Sequence, residues 1–199
     1  AERNATRALI SFYDTSINSS FEDTIEAVKR FARTDAARFR LRDSLRAQAM
    51  ASLSQEFSSV YVEAGVIHYL LWRNLRQELD ASVRLKLLFL ADDADGLASP
   101  RKYRYAPGDK LTLLYIFHPS YSETRRENIL AARSLIYSKL IAKNELTEDL
   151  TSWPHLRDEL KCIHMTNRLS LDDCRNLYLR VRHSDTLQAH AVVQAYLSR

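Results

Sequence analysis

Three glycines and four prolines are spread over 199 residues. A chain so poor in the two residues that punctuate structure has few tight turns, and long helices are expected. Hydrophobic residues make up 46% and charged residues 27% of the chain, as in an ordinary water-soluble domain. At this length one domain over residues 1–199 is expected, with residues 120–199 as a helical subdomain. No apolar run approaches the ~20 residues that a bilayer-crossing helix needs, so no membrane partner is expected. The opening AERNATRALI lacks an apolar run followed by a small-residue cleavage site, so no leader is expected there, and the location expected is cytoplasmic. Cys162 and Cys174 are twelve positions apart and form no CxxC. They are read as reduced, buried small hydrophobes. A net charge of +4 permits an anionic ligand without requiring nucleic acid.

The pattern from Phe21 to Phe57 is helical, with Ile25, Val28, Phe31 and Ala32 in register and Thr34-Asp35 as an expected break. Ser20 and Asp23 have the spacing of a capping box. SSVYVEAG alternates as a strand does, with Val60, Val62 and Ala64 on one face and Tyr61 and Glu63 on the other. VIHYLLWRNLRQEL continues as a helix, and VRLKLLFLADD reads as an interior strand. DADGLASP is a loop. KYRYAPGDKLTLLYIF reads as a hairpin, with Pro107-Gly108 at the turn and Leu111–Phe117 as its strand. Helices are expected from Ser122 to Glu145, from Pro154, after Ser170 with Asp173 completing a capping box, and from Asp185 to Leu197. The expected class is therefore α/β: a small mixed sheet with a parallel strand–helix–strand unit, packed by long helices and followed by a C-terminal helical tail.

The residues that invite chemistry lie where a strand gives way to a helix, at VYVEAGVIHYLLWRNL. Ligands in open α/β sheets bind beyond the carboxyl ends of strands. Gly65 would let the backbone turn and a ligand approach. His68, in the first turn of the next helix, would be a neutral base or ligand contact. Glu63 would orient His68 or a water molecule, and Arg46 would hold an anionic group with its bidentate fork. The expected catalytic pair is His68 and Glu63, and the expected ligand contacts are Arg46 and Gly65.

Arg46-x-x-x-Met50-Ala51, followed by a hydrophobic stretch ending in Gly65-x-x-His68, resembles the later half of the Tiki / TraB / ChaN-like superfamily over residues 40–90. That superfamily includes haem-binding lipoproteins, metal-dependent proteases and erythromycin esterases. The resemblance implies that Arg46 and His68 line a polar cleft. The superfamily's upstream G-E-x-H segment has no counterpart in this chain.

Other candidates have plainer readings. His155 and Glu159 are four apart on one helix face, which by itself is an exposed polar face and not a metal site. Arg101 to Tyr105, RKYRY, interleaves cations and aromatics, as a charged edge does, so nucleic acid is not an expected partner. Arg125, Arg126 and Arg133 lie on an ordinary amphipathic helix. Ser134 and Ser138 have no nucleophile elbow around them. No metal set and no cofactor is named by the residues. The function expected is binding of a small polar or anionic ligand at residues 63–68, with hydrolase-like chemistry as its extension. The alternative is a non-catalytic interaction or regulatory module whose helical tail from Ser122 to Arg199, with the aromatics Tyr121, Tyr137, Trp153, Tyr178 and Tyr196, binds a partner or a second copy of itself.

Overall fold

A helical hairpin begins the chain in the computed structural model, which describes residues 1–92, 105–146 and 153–198. Helix α1 (Glu2–Asn18) is joined to α2 (Phe21–Leu53) through Ser19 and Ser20 alone. The Ser20 side chain accepts from the Asp23 backbone N–H at 3.1 Å and donates to its carboxylate at 2.7 Å, which starts α2 sharply. The 33 residues of α2 span about 50 Å. The break expected at Thr34-Asp35 is absent. The Thr34 hydroxyl bonds back to the Phe31 carbonyl at 2.9 Å, and Asp35 pairs with Arg38 at 2.6 Å, so neither side chain competes with the helical backbone.

Six further helices follow among the described residues: α3 (Tyr69–Glu78), α4 (Pro107–Phe117), α5 (Thr124–Leu140), α6 (Pro154–Asn167), α7 (Leu171–Val181) and α8 (Thr186–Leu197). α4 and α5 pack on α2, and α7 packs on α5 and α8. One continuous core collects Phe21, Ile25 and Val28 of α2 with Leu111 of α4, Ile136 of α5, Cys162 of α6, Leu177 of α7 and Val193 of α8. A polar knot ties three of these helices together. Glu127 of α5, 2% exposed, accepts from the Tyr115 hydroxyl of α4 at 2.5 Å and pairs with Arg33 of α2. Arg40 donates to the Tyr115 carbonyl at 2.7 Å.

The α/β expectation, with its mixed sheet and parallel crossover, is overturned: no strand occurs among the described residues. Two different reasons apply. Leu111–Phe117 is part of helix α4, with Leu111, Thr112, Tyr115 and Ile116 buried at helical spacing. A short apolar run carries no period that separates a buried strand from a buried helix. Pro107 is the first residue of α4 and not the centre of a turn. Its fixed φ and missing N–H suit that position. Residues 58–64 and 84–89, expected as an alternating strand and an apolar interior strand, form neither helix nor ladder among the described residues. Tyr61 is 82% exposed and Leu88 59%. Alternation states which side chains can share a face, whereas a sheet also needs a partner strand. Lys102 to Arg104 of the expected hairpin, and the loop from Asp93 to Pro100, lie outside the described residues.

The C-terminal helices begin where their caps sit. Pro154 occupies the first turn of α6, Ser170 and Asp173 close a full capping box at α7, and Asp185 caps α8. Of the tail's aromatics, Tyr178 is buried. Tyr121, Tyr137 and Tyr196 are partly buried against the core, and Trp153 is 54% exposed. Among the described residues no helix is long and apolar enough to cross a membrane.

Candidate functional site

On the inner face of α2, helical spacing brings Ala36, Phe39, Asp43, Ala47 and Met50 into one stripe. Every member but one is apolar. Asp43 sits where a hydrophobe belongs and is 0% exposed. Such a carboxylate needs a partner. His68, the residue before α3, supplies it: its Nδ1 lies 2.6 Å from Asp43 Oδ1. The turn that brings His68 there is closed by its own N–H, which donates to the Gly65 carbonyl at 2.9 Å. Phe39 packs edge-on to the imidazole with centroids 5.0 Å apart. The ring is thus held by a carboxylate and an aromatic wall.

The chemistry follows from which nitrogen is occupied. A carboxylate on Nδ1 favours the tautomer with its proton there, leaving the Nε2 lone pair available. The His68 side chain is 14% exposed, so the imidazole is held by packing and still reaches the surface. Asp43 Oδ2 has no hydrogen-bond partner among the described residues. A buried carboxylate oxygen left unpaired is a rare arrangement with a cost in stability.

The expected site residues divide. Arg46 lies three residues beyond Asp43, on the same side of α2, and is half-buried. Glu63 is exposed and makes no hydrogen bond or ion pair among the described residues, so the orienting carboxylate at His68 is Asp43. Gly65 is exposed, and a Cβ added there would meet His68 Cδ2 at an ordinary 3.9 Å. Asp43 escaped the sequence reading, although its signal was present: it is the one acidic member of an apolar helical stripe.

A cavity of about 360 Å³ opens beside this turn, with Phe39 and Ile67 in its wall. It is mostly apolar and carries two carboxylates, Asp35 and Asp109. Burial pushes both above the usual carboxylate range. Asp35 is partly held back by Arg38, while the charge of Asp35 raises Asp109 further.

The remaining sequence candidates do not join the His68 turn. His155 faces Glu145 at 3.2 Å, while Glu159 is hydrogen-bonded with Tyr137, so His155 and Glu159 do not form a joint site. The Ser134 and Ser138 hydroxyls donate to the carbonyls of Ala131 and Leu135 within α5. Cys162 and Cys174 are unpaired and fully buried.

No family model matches the chain, and no solved structure matches it. Over 181 residues it is 32% identical to an uncharacterized protein of Archaeoglobus fulgidus. The match covers 90% of this chain and 60% of that relative.

Proposed function

We propose that the α2–α3 unit binds a small polar or anionic ligand, with His68 as base or ligand contact and Arg46 as the anion-holding cation. The reading is carried by one observation: a fully buried aspartate set against Nδ1 of a histidine that still reaches the surface. An imidazole so oriented can take a proton through Nε2 and, with a water molecule as nucleophile, run hydrolase-like chemistry. Asp43 has the role of orienting the ring and stabilising the imidazolium that forms. Membership of the Tiki / TraB / ChaN-like superfamily belongs to the same proposal. It rests on the sequence pattern of Arg46, Met50, Ala51, Gly65 and His68 alone. A cytoplasmic setting also belongs to it, because both thiols are unpaired.

A screen of small carboxylates and phosphates, read by the NMR signals of the His68 ring, tests the proposal. Hits should shift those signals, and in calorimetry His68→Gln and Arg46→Gln should each bind them about 10-fold more weakly, the loss of one good polar contact. Hits that bind His68→Gln and Arg46→Gln as tightly as the parent would sink it. An activated ester serves for the hydrolytic part: turnover that survives in His68→Gln removes His68 as the base.

A further inference from the structure

We propose that Asp158, Cys162 and His190 form a binding site for a divalent metal of the zinc class. Asp158 and Cys162 are four residues apart on α6, so both side chains leave the same face of the helix. His190 enters from α8. The Cys162 sulfur lies 3.9 Å from Asp158 Oδ1 and 3.9 Å from His190 Nε2. The three ligand atoms all fall within 4.8 Å of one another. Bond lengths of about 2.3 Å to sulfur and 2.0–2.2 Å to nitrogen or oxygen, in a tetrahedron, put ligands roughly 3.3–3.6 Å apart. Small side-chain rotations therefore close the set around an ion.

The surroundings of the three residues favour the same conclusion. The Ala142 N–H donates to Asp158 Oδ2 at 2.9 Å, which pins the carboxylate and leaves Oδ1 facing the sulfur. Such a backbone contact is how metal ligands are commonly oriented. His190 Nε2 lies 2.8 Å from the Leu140 carbonyl, so the ring donates there when no ion is bound. Coordination through Nε2 breaks that hydrogen bond and moves the imidazole proton to Nδ1, with no net change in protonation. The Cys162 thiol loses its proton to solvent, so one proton is released for each ion bound. A dication at the centre of the three groups favours the thiolate. Access is available, because Asp158 and His190 are half-buried while only Cys162 is fully buried. One sulfur, one nitrogen and one oxygen ligand suit zinc or cobalt and do not suit magnesium or calcium, which take oxygen alone. The three protein ligands leave a fourth position open, as in zinc sites that handle a substrate or water.

Cobalt(II) added to the full chain, stripped of metal with a chelator, gives the direct test. The expected result is one ion per chain, a thiolate-to-cobalt charge-transfer band, one proton released, and displacement by zinc. Cys162→Ser should abolish the band, Cys174→Ser should leave it intact, and His190→Gln and Asp158→Asn should each weaken binding at least 10-fold. Circular dichroism reports whether each variant folds. If Cys162→Ser does not fold, the loss of the band in His190→Gln carries the same decision. Three outcomes overturn the proposal: no uptake of cobalt, uptake without a thiolate band, or equal affinity in parent and His190→Gln.

Discussion

Glu127 and Asp43 are two buried carboxylates at the inner face of α2, and they are held in opposite ways. Glu127 receives the Tyr115 hydroxyl and the Arg33 guanidinium, so three helices converge on it. Asp43 meets a single imidazole and keeps Oδ2 unpaired. Arg33 and Asp43 are ten residues apart on α2, about 15 Å along its axis. A satisfied polar network makes the bundle rigid and unique, and a half-satisfied one lowers its stability.

The largest expected effect is at Glu127. Glu127→Ala strands the buried Tyr115 hydroxyl and unlinks Arg33, and should cost about 3–4 kcal/mol in chemical denaturation. A cost under about 1 kcal/mol would erase the contrast. At the other carboxylate, His68→Ala removes the hydrogen-bond partner that Asp43 has among the described residues and should cost roughly 2 kcal/mol. The variant Asp43→Asn combined with His68→Ala should cost less than the two single changes added together, by about 1 kcal/mol or more. Strict additivity would mean that the 2.6 Å contact contributes nothing.

A smaller effect of the opposite sign is expected at Asp109. Burial, and then the charge of Asp35, hold its carboxyl above the ordinary value. The fold therefore favours the protonated form. Stability is greatest below the unfolded-state value and declines as pH rises towards the folded one. Asp109→Asn should raise stability at pH 7 by about 1 kcal/mol, some 2–4 °C in melting temperature at this chain length. Near pH 4 most of that gain should disappear, so equal gains at both values would refute the account. The smallest effect is at Gly65, where Ala meets no obstruction and should change stability by less than about 0.5 kcal/mol. The same variant sharpens the comparison if it weakens an anion found by screening, because a ligand would then approach the backbone there.

Much of the helical layout was legible in local signals. Ser170 with Asp173, Pro154 and Asp185 mark helix starts because they satisfy, or do not need, the orphan N–H groups of a first turn. His68 could be singled out because a histidine beside a glycine at a helix start is conspicuous. What the chain's order alone determined was this run of helices with their caps, and a polar residue at a turn. The tertiary structure decided the rest. Leu111–Phe117 became helix because α2 and α5 enclose it, and an all-apolar run packs equally well in either geometry. Residues 60–64 and 84–89 form no ladder among the described residues because a ladder depends on a second strand, which no residue within the segment can specify. Asp43 became the partner of His68 because folding brought residues 25 positions apart to 2.6 Å and removed water from the carboxylate. The apolar stripe of α2 places Asp43 on the buried face, but the partner that meets it there is set by the packed helices, and no local spacing encodes that choice.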